Sequence, residues 1–246
     1  MTGWRRPAWW SVLLAVAAAA LFVRLGVWQL DRAAYKDRLV RRYAAAAVAA
    51  PVPFGRVAVA PPADAFPRVA VGGRYLGDRV YLLDNPRHDA RGGVEAYVPL
   101  ALADEQRLLL VDLGFLPGTG NDKPPQLPPL PQGEVRLHGL YLPPPGVGLE
   151  LGGDALASQP HWPKTTIYLD LGQVAKDLGR PLYPRVLALD ADPAAIYQRA
   201  HAFDFSSMPP ARHRAYAFQW FSFAVAVLVI FAILHRKRRP RRTDDR

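Results

Sequence analysis

No cysteine occurs anywhere in the 246 residues. That excludes disulfides, thiolate zinc or iron–sulfur sites, covalent haem attachment through a Cys-x-x-Cys-His motif, and thiol catalysis. Only two methionines are present, Met1 and Met208, so a thioether or thiolate copper chaperone is not indicated. Nucleophile and nucleotide motifs are missing too. The chain has no Gly-x-Ser-x-Gly, no P-loop, no His-Glu-x-x-His and no Gly-x-Gly-x-x-Gly. Asp84 and Asp112 make a conceivable acid/base pair, but strand-end carboxylates facing solvent are the plainer reading. The composition and motifs do not point to an enzyme.

Acidic residues are scarce where basic ones collect. The net charge of +10 first suggests a nucleic-acid or membrane-surface partner. Residues 31–211, however, carry 19 basic and 19 acidic side chains, so the excess lies entirely in residues 1–30 and 212–246. A nucleic-acid-binding domain needs its basic patch on the folded part, and that part is neutral, which argues against nucleic acid as a partner.

The terminal charge brackets two apolar runs. Between Pro7 and Val23 no residue is charged, and Arg24 alone interrupts the run to Leu30. An arginine near a helix end can extend its head group to the interface. Trp9, Trp10 and Trp28 resemble interfacial anchors. The second run, residues 215–234, is uncharged and spans a bilayer core of about 30 Å at about 1.5 Å per residue. Arg5, Arg6 and the Ala-rich patch at 15–20 also fit a cleaved signal peptide, but the apolar run continues to Leu30, which favours retention.

Seven basic residues follow the second run, from Arg236 to Arg246, against Arg212 and Arg214 just before it. The positive-inside rule then places the C-terminus in the cytoplasm. The flanks of the first run conflict, with Arg5 and Arg6 before it and Arg32, Lys36, Arg38, Arg41 and Arg42 after it; the larger asymmetry decides. The expected organisation is a cytoplasmic N-terminus (1–7), a transmembrane helix (8–30), an extracytoplasmic, periplasmic β-rich domain (31–211), a second transmembrane helix (212–234) and a basic cytoplasmic tail (235–246). Both termini are then cytoplasmic in a multi-pass bacterial inner-membrane protein in contact with lipid.

In the middle, residues 31–50 read as a helical continuation of the first span, and 51–67 as a proline-rich connector. Strand-like runs follow at 68–76, 80–84, 94–100, 108–115, 134–141 and 184–190. Residues 85–93 read as a hairpin connection, with Asn85, Arg87 and His88 as a conceivable polar contact site. Residues 117–133, holding six prolines, and 143–153 read as loops. Residues 171–178 read as a short helix capped by Asp170 and ended by Gly179. The predicted fold class is a membrane protein whose two transmembrane helices flank a mostly antiparallel β (α+β) domain, a sheet or small open barrel.

Of the titratable residues, His213 stands out because it falls just before the second apolar run. Helical spacing puts His213, Tyr216, Trp220 and Phe223 on one face. A neutral imidazole beside aromatic rings can ligate a haem iron, with Arg212 and Arg214 meeting the propionates; an ordinary interfacial histidine is the alternative. His161 reads as a loop histidine, and His88, His138, His201 and His235 show no metal-cluster spacing. Gly26, Ala217 and Ala224 are small enough to let the two helices pack closely.

Several ordered blocks resemble one family. They are Gly26 to Arg32 with Lys36 (Gly-Val-Trp-Gln-Leu-Asp-Arg), Val71 to Tyr75, Asn85 to Gly93 with Tyr97, Pro99 and Leu100, Leu109 to Pro117, Gly139 to Tyr141, and His213 to Phe221. In this order, and with the flanking spans, they are similar to the Surfeit locus protein 1 family, assembly factors for haem–copper cytochrome c oxidase. The resemblance runs from about Gly26 to Leu234. Asp112 and Leu113 stand where the family usually shows Asn and Arg, and Arg214 replaces the usual Leu after the histidine.

The resemblance implies a non-enzymatic chaperone that hands haem a to oxidase subunit I, working beside the haem a synthase. Its closing-block histidine, regarded as a haem a ligand in bacterial members, corresponds to His213 here. A cofactor-free membrane scaffold stabilising an oxidase assembly intermediate is the competing expectation.

Overall fold

A computed structural model describes residues 6–88, 91–118, 126–145, 156–199 and 208–236, with residues 85–88 and 91 described by their backbone alone. The chain divides into two compact units, one of Met1–Leu39 with Ser206–Arg246 and the other of Val40–Phe205.

The first unit is built from helix α1 (Trp9–Ala47), as far as Leu39, and helix α3 (Pro210–His235). At about 1.5 Å per residue, the 26 residues of α3 cover about 39 Å, enough for a bilayer core. Both helices are long and apolar enough to cross a membrane. Their outer faces expose large apolar side chains, among them Trp9, Leu13, Leu14, Phe218, Val225 and Ile233, a surface suited to lipid. Pro210 opens α3, where a missing N–H costs nothing. The 39 residues of α1 continue without a break past the apolar run, so the basic segment after Leu30 is helical as the sequence suggests.

The second unit is a curled sheet. After α1 come β1 (Val52–Pro53), β2 (Arg68–Tyr75), β3 (Tyr81–His88), β4 (Arg91–Ala101), β5 (Leu108–Pro117), β6 (Glu134–Leu142), β7 (Lys164–Thr166), α2 (Leu171–Leu178) and β8 (Leu182–Leu189). The strand order is β1-β2-β6-β8-β5-β4-β3-β7. A further antiparallel pairing of β2 with β4, through Arg74–Ala101 and Tyr75–Leu100, closes five of these strands into a small barrel. At that closure a Cβ on Gly73 would lie 2.5 Å from the Ala101 carbonyl oxygen, so the backbones approach more closely than a side chain allows.

Five pairings are antiparallel and three are parallel: β1–β2, β3–β7 and β5–β8. The sheet is therefore mostly antiparallel, as the sequence suggested, and mixed through three parallel pairings that the sequence did not indicate. β5 reads as an apolar run interrupted by Asp112 and Gly114 because it lies between β4 and β8 and is buried from Leu108 to Leu116. The core gathers Val69, Leu82, Val98, Leu100, Leu109, Val111, Tyr141 and Leu187.

Asp112 departs from expectation. It is not at a strand end facing solvent but in the middle of β5 and 5% exposed, whereas Asp84 is exposed. Between Ala96 and Tyr97 the β4–β5 register shifts so that Leu113 is the extra residue of a bulge. Gly114 follows with φ +114°, and its N–H donates to Asp112 Oδ1 at 2.9 Å. The two carboxylates are thus in different environments, and Asp112 organises backbone.

Two buried cations hold the periphery. Arg185 on β8 donates Nη1 to the carbonyls of Ala65 (2.6 Å) and Tyr141, and Nη2 to those of Pro62 (2.6 Å) and Ala63. It thereby fastens the segment before β2 to the barrel, and burial lowers its pKa from the usual value. Lys164 on β7 pairs with Asp177 of α2 and donates to the Leu156 carbonyl at 3.0 Å. The Tyr81 hydroxyl donates to the other Asp177 oxygen at 2.9 Å. Burial, then the bond to Asp177, push that phenol's pKa up. α2 itself follows the sequence reading: Asp170 caps its N-terminus, accepting from the N–H groups of Gly172 and Gln173, and Gly179 ends it at φ 63°.

Candidate functional site

In the first unit the buried positions of α1 are Gly26, Gln29, Ala33, Lys36 and Leu39, spaced three and four apart. Those of α3 are His213, Ala217 and Ala224. This spacing is the seam of two helices packed side by side. Contacts run in opposite senses along the chain: Phe22 meets Trp220 and Phe223, Gly26 meets Phe221, and Gln29 meets His213. The helices are antiparallel. The small residues Gly26, Ala217 and Ala224 lie in the seam, as their size suggests.

His213 occupies a buried position in it, 6% exposed. Its Nδ1 is 2.6 Å from Gln29 Oε1, and Gln29 is itself buried. A carbonyl oxygen only accepts, so Nδ1 carries the proton and donates. Nε2 is buried and has no hydrogen-bond partner among the described residues. Buried polar atoms are seldom left unpaired, and an imidazole nitrogen that keeps its lone pair is chemically able to ligate a metal ion.

The other residues singled out from sequence are placed differently. Trp220 stacks on Phe22 with centroids 5.7 Å apart and meets Phe223 edge-on at 5.8 Å. Tyr216 points outward and is 42% exposed. Helical spacing therefore grouped His213, Tyr216, Trp220 and Phe223, but the seam takes His213 with Ala217, one turn on, and leaves Tyr216 outside. Arg212 is exposed, with no side-chain partner among the described residues. Arg214 is exposed and pairs with Asp37 at 3.2 Å. The Lys36 ammonium donates to the Met208 carbonyl just before α3.

Of the remaining histidines, His138 and His161 are exposed and His235 donates from Nδ1 to the Phe231 carbonyl at 2.8 Å. His201, the side chains of Asn85, Arg87 and His88, and the basic tail from Lys237 onward lie outside the described residues. Among the described residues no three His, Asp or Glu side chains are grouped to hold a metal ion. Sequence reasoning missed Gln29. Its signal was there: a lone amide at seam spacing from Gly26 and Ala33, inside the block that carries the family resemblance.

A folded β domain set in the chain between two helices able to cross a bilayer is the make-up of a membrane-anchored protein. The SURF1 family model matches residues 16–225, and the chain belongs to that family, which is known for cytochrome c oxidase assembly. A comparison with curated proteins gave no match.

Proposed function

We propose that this protein binds haem a transiently through His213 and aids its insertion into subunit I of cytochrome c oxidase, beside the haem a synthase. The observation that carries the reading is the Nε2 atom of His213, buried, without a partner among the described residues and left with its lone pair by the donor bond from Nδ1 to Gln29. That donor set suits an axial ligand to haem iron. Nε2 is enclosed between the helices, so coordination requires the side chains over it to move aside.

The exposed Arg212 guanidinium, without a side-chain partner among the described residues, could meet a propionate, and Arg214 would exchange its exposed bond to Asp37 for one. Trp220 and Tyr216, one in the aromatic cluster and one beside it, supply faces for a macrocycle. When bound, haem a would take the His213 imidazole as a ligand to its iron. The chain itself forms and breaks no covalent bond in this scheme. Both termini are assigned to the cytoplasm and the β domain to the periplasm of a bacterial inner membrane. The support for this is the basic residues from Arg236 onward after α3.

A cofactor-free scaffold is the second reading, favoured by outward Tyr216 and Phe218, 42% and 76% exposed, which a partner's transmembrane helix could cover. A reduced-minus-oxidised spectrum of the detergent-purified protein, co-produced with haem a biosynthetic enzymes, separates the two. A haem a band that fades in His213→Ala, with membrane insertion unchanged, is expected. A colourless wild-type protein sinks the carrier reading, and a band equal in both proteins sinks the ligand assignment.

A further inference from the structure

We infer that Gln29 is the residue that sets the tautomer of His213, and that its neutral amide keeps the hold on iron exchangeable. The inference rests on the carrier reading above for its second half, and on the geometry alone for its first. A neutral imidazole has one N–H and one lone pair, and the partner of one nitrogen decides which the other carries. Gln29 Oε1 lies 2.6 Å from Nδ1 inside the helix seam, and among the described residues no second partner reaches Nε2. The accepting oxygen fixes the proton on Nδ1 and leaves the lone pair on Nε2.

An amide has two faces. Turned over, Gln29 would present its NH₂ group to Nδ1, which would have to accept, and the proton would move to Nε2. The same residue then closes the ligand position it opened. A carboxylate in its place could only accept, and as an anion it would draw harder on the Nδ1 proton, making Nε2 a stronger donor to iron. A protein that must give up its cargo is better served by the neutral, reversible acceptor. Gln29 is thus a positioning residue and makes no contact with iron.

Two measurements test this on the full chain in detergent. In the haem-free protein, a long-range proton–nitrogen spectrum of labelled histidine should show His213 with Nδ1 protonated and Nε2 bare. Gln29→Met, close in shape but without the carbonyl, should leave a mixture of tautomers while α-helical content is unchanged. An identical tautomer in both proteins overturns the role of Gln29, whatever haem does.

In haem-loaded protein, Gln29→Met should weaken haem retention about 10-fold or more, the usual effect of losing an outer partner of a metal-bound histidine. Gln29→Glu should release haem more slowly than the wild type, which a merely structural residue would not do. Faster release from Gln29→Glu overturns the exchangeability argument. Failure of the carrier reading shows separately, as haem retention indifferent to His213→Ala while the tautomer still follows Gln29.

Discussion

Gly26 of α1 faces the edge of the Phe221 ring on α3 so closely that a Cβ on the glycine would lie 2.6 Å from Phe221 Cε1. The atom met is the far end of a side chain that can turn. Gly26→Ala should therefore displace the ring at little net cost, since alanine also recovers about 1 kcal/mol of helix propensity. Gly26→Ile cannot be absorbed that way and should destabilise the helix pair by about 1–3 kcal/mol. Phe221→Ala should restore much of the loss. Unfolding of the single and double variants in detergent checks the coupling, and simple additivity would mean the two residues do not press on each other.

Asp112 predicts a chemical distinction at one site. Asp112→Ala leaves the buried Gly114 N–H without the oxygen it donates to and should cost about 1–3 kcal/mol. Asp112→Asn keeps an accepting oxygen at the same place and should be nearly neutral. The comparison is thermal unfolding of the two variants, and equal losses would remove the hydrogen bond from the explanation.

Arg185 holds four carbonyl oxygens with one planar guanidinium, a geometry that a lysine ammonium does not match. Arg185→Lys should lower stability by about 1–3 kcal/mol and release the segment around Pro62 and Ala65. Limited proteolysis should then cut there first. Protection equal to the wild type would show that the segment is held by its apolar contacts instead.

Alkaline pH should loosen the β domain in a stated window. Burial raises the phenol of Tyr197 to about 12 and, ahead of smaller charge effects, that of Tyr75 also to about 12. The neutral phenol is the form the fold favours. Its contribution is complete below the unfolded value near 10 and is lost as pH rises through about 12. The thermal midpoint should fall over that interval, and more gently in the Tyr75→Phe/Tyr197→Phe double variant. A slope unchanged by both substitutions would assign the loss to other groups.

What could be read without the fold was what is local. The Asp170 and Gly179 caps bound α2 correctly because a cap bonds to groups two to four residues away. The runs at β2, β4, β5, β6 and β8 were visible as apolar or alternating stretches, with β5 the most evenly apolar because it is buried on both faces. β1 and β7 were not visible: two and three residues long, they are strands only because β2 and β3 accept them alongside in parallel. Asp112 was misplaced for a similar reason, since a bulge belongs to a pair of strands and not to either sequence.

The amino-acid sequence by itself determined two bilayer-length apolar helices, a charge excess confined to the chain ends, a neutral β-rich middle and the family blocks, because hydrophobicity, charge and capping act within a few residues. The closure of the barrel through β2 and β4, the parallel union of β5 with β8, and the meeting of Gln29 with His213 were decided only by tertiary structure. Each joins segments separated by tens to hundreds of positions; Gln29 and His213 are 184 apart. Packing of complementary seams, and not any local preference, brings such partners within hydrogen-bond distance.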